Sequence, residues 1–167
     1  DCVRFALEGM QTTFDFVISG INRGLNIGID VLYSGTLGAV FEAASFGVPA
    51  VALSTKSGGF KEAIEALDEI KDFFIRHELM KNNILYNINI PIHHKGIRIT
   101  RMGGRYYTEG FLPQGNDMYI LTYEETQPNS DDNSIDINAT MSGYISVTPL
   151  TLDRTNRPVF EELKKLN

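Results

Sequence analysis

A chain of 167 residues that is 43% hydrophobic and 22% charged has the composition of one globular domain, long enough to bury a sizeable core. Its net charge of -6 argues against gripping a nucleic-acid duplex, which needs clustered Lys and Arg, yet leaves room for a small anion held by local donors. The single cysteine, Cys2, excludes an internal disulfide, and no stretch approaches the roughly 20 apolar residues of a membrane span, so a cytoplasmic protein without membrane contact is expected.

In chain order, Val3, Ala6, Leu7 and Met10 recur at helical spacing, with Asp1 placed to cap and Cys2 expected as a small buried residue. A helix already under way at Asp1, with no strand before it, leads us to expect that N-terminal sequence is missing. Phe14 to Ile18 reads as a buried strand. Gly20 to Tyr33 is dense in turn formers (Gly20, Asn22, Gly24, Asn26, Gly28, Asp30) and can fold backbone N–H groups inward. Thr36 to Phe46 is apolar almost all round and predicts a buried helix, closed by Gly47 and Pro49. Val48 to Leu53 is the next strand, and the helix-length spacing implies a right-handed parallel crossover. Phe60, Ala63, Ile64, Leu67, Ile70, Phe73 and Phe74 predict one long amphipathic helix reaching about Met80, and Ile84 to Ile90 an alternating strand ended by Pro91.

Past Pro91 the pattern turns to strands with little helix cover. Gly96 to Met102 alternates, Arg105 to Tyr107 leads toward a strand at Met118 to Tyr123, and Gln127 to Ser134 is a polar loop. Ile135 to Met141 is a short helix, Tyr144 to Leu150 a last strand, and Arg157 to Leu166 a terminal helix. Hairpins carrying Tyr106, Tyr107, Phe111, Tyr119 and Tyr123 ask for a partner surface, either a second subunit or their own domain.

His93 and His94 are adjacent, so on extended chain they point opposite ways, and His77 lies near a helix end; a zinc centre is not expected. Ser34, Gly35 and Thr36 open a helix, where unpaired N–H groups favour a phosphate. An ordinary Ser cap explains the triplet equally simply, and on these three residues alone is the better reading. No Lys follows, so this is not a P-loop. Asn22 and Asn26 are either oxygen ligands for a hard cation or turn residues; Asp30 stabilises either the turn or the next helix start; Arg23 reaches a phosphate or water.

The run Ser19-Gly20-Ile21-Asn22-Arg23-Gly24, with Asn26, Gly28 and Asp30 to Thr36, resembles the signature of the SurE survival-protein nucleotidases. The likeness extends to Glu42, Gly47, Pro49 and the VALS run, to Asn87 to Pro91, to Ile99 to Arg101, to Gly143 to Leu150 and to the opening Asp1-Cys2-Val3. Pattern and resemblance together imply an α/β fold: a three-layer Rossmann-like parallel sheet (residues 1–91) with a strand-rich, antiparallel hairpin extension and C-terminal helix (residues 92–167) in the same domain.

The resemblance further implies a phosphatase acting on nucleoside monophosphates (a 5′/3′-nucleotidase) with a divalent cation, Mg, Mn or Ca. Asn22 would be the metal ligand; Ser34, Gly35 and Thr36 would line the phosphate site, with Asn26 and Gly20 beside the substrate. Subunits would form a dimer or tetramer by exchanging the hairpin and C-terminal segment. The family's metal site also uses an adjacent aspartate pair after a first strand and a serine after the second. Neither segment is in this chain, and Asp131-Asp132 sits in a hairpin region instead. No catalytic residue is therefore assigned, and the chain by itself is expected to be inactive. A non-catalytic nucleotide- or anion-binding module and an oligomerising structural protein are the alternatives.

Overall fold

The computed structural model describes residues 1–10, 12–125 and 130–166, with Glu109 through its backbone alone. Five strands form one sheet in the order β1-β2-β3-β7-β4: β1 Val17–Arg23, β2 Ala50–Thr55, β3 Leu85–Ile90, β7 Ile145–Pro149 and β4 Ile97–Ile99. As expected, β1, β2 and β3 run parallel. The later strands differ from expectation. β7 lies antiparallel on β3, but β4 pairs parallel with β7, so both complete the main sheet instead of forming a separate antiparallel region. The antiparallel extension is the hairpin of β5 (Tyr107–Gly115) and β6 (Met118–Glu125), turned at Asn116 and Asp117, which both take positive φ.

Helices cover both faces. Helix α2 (Gly35–Ser45) buries Leu37, Val40, Ala43 and Ala44 on Ala50, Ala52 and Leu85. On the opposite face, α3 (Phe60–Glu65) and α4 (Leu67–Arg76) bury Ala63, Ala66 and Ile70 on Val51, Leu53, Tyr86 and Ile88. The long helix expected here bends at Ala66 and ends at His77; Glu78 turns left-handed (φ 50°) before the short α5 (Leu79–Asn82). The N-terminal helix is likewise shorter than its apolar spacing predicts: α1 (Cys2–Arg4) runs into a π-helical turn, Phe5–Gly9. It lies at the surface, leaving Cys2 exposed rather than buried, because only Val3 reaches the α2 core. Helices α6 (Asp136–Met141) and α7 (Arg157–Leu163) fall close to expectation; Gln127 to Asn129 of the polar loop lie outside the described residues.

The α2 face of the sheet changes character along its strands. Where β2 and β3 begin, it presents Ala50, Ala52 and Leu85 beneath the helix. At their carboxyl ends it presents Ser54, Asn87 and Asn89, with Ser146 and Thr148 beside them on β7, all fully or nearly fully buried. Side chains alternate between faces along a strand, so the polar positions of the alternating ILYNINI run do not face water; they floor the loop that follows β1.

Candidate active site at the carboxyl ends of the parallel strands

In open α/β sheets, ligands bind beyond the carboxyl ends of the strands. Strand β1 delivers Asn22 to that edge through a register shift between Ser19 and Asn22 and a cis Gly20–Ile21 peptide. Gly20 has φ +128°, and a Cβ there would lie 2.3 Å from the Leu53 carbonyl oxygen. Backbone packing alone therefore demands glycine at this position.

Asn22 is half-buried and faces Ser54 across the β1–β2 pair. Its Nδ2 donates to the Gly24 carbonyl at 2.8 Å, which holds the amide in one orientation. Among the described residues Oδ1 accepts no hydrogen bond, which is the state a cation-binding carbonyl requires. Arg23, next along, donates from Nε to Ser57 Oγ at 3.1 Å.

Asn26 is buried, and nearly everything it offers is taken. Its N–H donates to Asn89 Oδ1 at 2.8 Å, and its carbonyl accepts from Asn87 Nδ2 at 2.6 Å and Asn89 Nδ2 at 2.9 Å. Its Nδ2 donates to Ser54 Oγ at 2.7 Å. Ser54 thus joins Asn22, its neighbour in the sheet, to Asn26. Asn26 is thus placed as a loop anchor; among the described residues its side-chain carbonyl and the second hydrogen of its amide take no partner. The side-chain oxygen Oδ1 of Asn87 is buried with no partner among the described residues, a cost of the kind usually met at functional sites.

Beyond Asn26 the chain makes a 3₁₀ turn, Gly28–Tyr33, where a loop was expected. Asp30 there serves neither its own turn nor the next helix, the two roles its position predicts. Its Oδ2 accepts from the backbone N–H groups of Tyr106 and Tyr107, both at 3.2 Å, tying the loop to the root of the hairpin. Ser34 caps α2, its Oγ accepting from Leu37 N–H at 3.2 Å. Gly35 has open space where a Cβ would stand, and Thr36 is half-buried in the first turn. The cap geometry satisfies one orphan amide and leaves others at the helix start. The structure thus brings Asn22 and Asn26 together on Ser54 and sets the Ser34-Gly35-Thr36 helix start at the far end of the same loop.

Asp136 escaped the sequence reading. Wholly buried at the start of α6, it accepts from Gly28 N–H on Oδ2 and from Gly103 and Ile137 N–H on Oδ1, each at 2.8 Å. Burial pushes its pKa above the ordinary carboxylate range, while the backbone donors pull the other way. An acidic residue in the first turn of a short helix was the only local signal, and it looks like ordinary dipole compensation. Asn87 and Asn89 were legible as residues but not as the clamp they form.

The described residues contain no group of three or more His, Cys, Asp or Glu able to hold a metal. A groove of about 600 Å³ lies between the outer edge of β1 and α4, lined by Phe16, Ile18, Leu53, Phe74 and Met80, and Gly20, expected beside the substrate, lines this groove. Its apolar lining suits packing rather than phosphate chemistry. No helix among the described residues is long and apolar enough to cross a membrane.

Comparison with known proteins bears on this arrangement. Residues 1–109 match the family model of the survival protein SurE. A 5′-nucleotidase SurE of Caldanaerobacter subterraneus subsp. tengcongensis is 39% identical over the whole chain and 68% of the relative's length. One from Desulforamulus reducens is 40% identical over 93% of the chain and 65% of the relative. The crystal structure of the SurE protein from Aquifex aeolicus superposes with a TM-score of 0.75 at 33% identity, covering 99% of this chain and 71% of that one. The chain spans about two thirds of the length of these relatives. It belongs to the SurE survival-protein family.

Proposed function

We propose that the loop from Asn22 to Thr36 forms one wall of a phosphomonoesterase site for nucleoside monophosphates. The observation that carries this reading is the buried Asn26–Ser54–Asn87–Asn89 cluster, which holds a Gly/Asn-rich loop rigid at the strand ends in a chain whose relatives are named 5′-nucleotidases. A phosphate seated at the start of α2 would meet backbone N–H groups at the positive end of the helix dipole, with the open side of Gly35 allowing close approach. Those donors are fixed before substrate arrives, so they stabilise charge developing on the equatorial oxygens without reorganising.

The residues fit a divalent cation (Mg, Mn or Ca) in part. Asn22 Oδ1, oriented by the hydrogen bond of its own amide to Gly24, would hold it as a neutral oxygen ligand. When bound, such an ion polarises a phosphoryl oxygen and activates water. One neutral ligand does not bind a hard cation tightly, so we propose that turnover requires an acidic pair beside Asn22 that the described residues do not supply, and that they are inactive without it. Phosphate release from nucleoside monophosphates, measured with and without EDTA after an acidic segment from a relative is fused ahead of Asp1, tests this. Release that persists in chelator contradicts the metal requirement; release from the unfused chain contradicts the need for the acidic pair.

We further propose self-association to a dimer or tetramer in the cytoplasm, with the hairpin as the contact. Both faces of β5–β6 are largely exposed, with Phe111, Leu112, Tyr119, Ile120 and Tyr123 at the surface, and an isolated two-stranded hairpin is marginal in water.

A further inference from the structure

We infer that Asp136 is a positioning residue: it fixes the site loop by gripping Gly28 with one carboxylate oxygen and the Gly103 turn with the other. The inference rests on the nucleotidase reading only for what the loop binds.

Four successive tethers hold the loop. Asn89 and Asn87 take the backbone of Asn26, Asp136 takes Gly28, the Ile29 N–H donates to the Gly104 carbonyl at 2.9 Å, and Asp30 takes Tyr106 and Tyr107. Asp136 alone among these joins three separate stretches of chain: the loop, the glycine turn at 103–104 and the first turn of α6. Both of its oxygens must accept. Gly28 sits at φ +58° with the Gly104 carbonyl oxygen 1.9 Å from where a Cβ would be, so the loop crosses the glycine turn backbone against backbone. No side chain from the loop itself can stitch that crossing. A buried carboxylate from a third element does so, and its two acceptor oxygens suit amide donors arriving from opposite sides. Released from Asp136, Gly28 would leave an unpaired buried N–H, and the segment between Asn22 and Ser34 would lose the tether at its midpoint.

The isosteric Asp136→Asn separates this role from bulk. Two donors converge on Oδ1 and one on Oδ2, so the amide keeps its oxygen toward Gly103 and Ile137 and turns its NH₂ toward the Gly28 N–H. Hydrogen exchange should then speed up at the Gly28 amide by about tenfold or more while the β2 and β3 amides hold. Affinity for adenosine 5′-monophosphate with Mn²⁺, measured by calorimetry, should fall about tenfold, the size of effect seen when a supporting residue is lost. The control is a variant trimmed in the opposite core, Ile88→Val or Ile88→Ala, chosen to match the loss in melting temperature. An equal loss of affinity in the control overturns the inference, as does unchanged exchange at Gly28. Should Asp136→Asn fail to fold, exchange in the native chain decides: Gly28 and Gly103 amides as fast as those of the exposed 130–134 loop would contradict any clamp. A native chain that binds no nucleotide would count against the nucleotidase reading, while the exchange result would still decide the role of Asp136.

Discussion

The loop from Gly24 to Asp30 and the β5–β6 hairpin meet at Tyr106, yet they are held in opposite ways. The loop has the composition of a mobile linker, but Asn26, Gly28, Ile29 and Asp30 are each fixed to another part of the fold. The hairpin has strong β-formers and a regular ladder, but among the described residues its ties to the rest of the fold lie at its root. There Asp30 takes the Tyr106 and Tyr107 amides, and Lys56 reaches Glu125 at 3.1 Å. Composition therefore misjudges rigidity in both directions. Buried side-chain acceptors fix the Gly/Asn loop in one shape, while the aromatic hairpin keeps Phe111, Tyr119 and Tyr123 exposed.

The difference can be broken first on the loop. Gly28→Ala puts a methyl into the Gly104 carbonyl at an unfavourable φ, and should cost about 3 kcal/mol in urea unfolding or prevent folding. Next comes Asn89→Ala, which orphans the Asn26 N–H and half of its carbonyl bonding, for an expected loss of about 2–3 kcal/mol by the same measurement. If either change proves neutral, the loop is not clamped as described.

On the hairpin the same kind of change should barely touch the fold. Phe111→Ser with Ile120→Ser alters exposed positions, so monomer stability should stay within about 0.5 kcal/mol. The association constant read by light scattering against concentration should nevertheless drop; an unchanged oligomer places the contact elsewhere. The smallest effect belongs to the C-terminal turn. Asp153 accepts from Thr155 N–H and pairs with Arg157, which holds its pKa down at about 2 against an ordinary 3.8. A carboxyl whose folded pKa is depressed stabilises above the ordinary value and loses that contribution as pH falls through the folded one. The Thr155 amide resonance should therefore move with a midpoint near pH 2, well below the ordinary 3.8, and should stay flat in Asp153→Asn.

Much of the fold was readable because its elements are written in local pattern. The apolar run of β2, the all-round apolar α2 with its Ser34 cap and Gly47 stop, and the alternation of β3 each follow from neighbours in sequence. The first strand does not: it runs from Val17 to Arg23 instead of the buried Phe14 to Ile18 expected, so Gly20 and Asn22 stand in the strand, and Phe14, Phe16 and Ile18 are exposed because β1 is the edge of the sheet. What escaped depends on contacts across the fold. The long helix breaks at Glu78, whose left-handed backbone no charged residue announces. The pairing of β4 with β7 depends on strands 40 to 50 residues apart. At the site, Asn22 and the Ser34-Gly35-Thr36 start could be named from their run along the chain. The anchors that fix them could not, because Asn87, Asn89 and Asp136 lie roughly 60 to 110 residues from the loop atoms they hold.

The most direct test of the loop as a preformed binding wall is a titration of the chain with adenosine 5′-monophosphate and Mg²⁺ followed by amide resonances. The expected result is a set of shifts concentrated at Asn22 to Gly24 and Ser34 to Thr36, with the amides from 107 to 125 unmoved. Shifts confined to the apolar groove beside Phe16 and Phe74, or spread evenly along the hairpin, would contradict it.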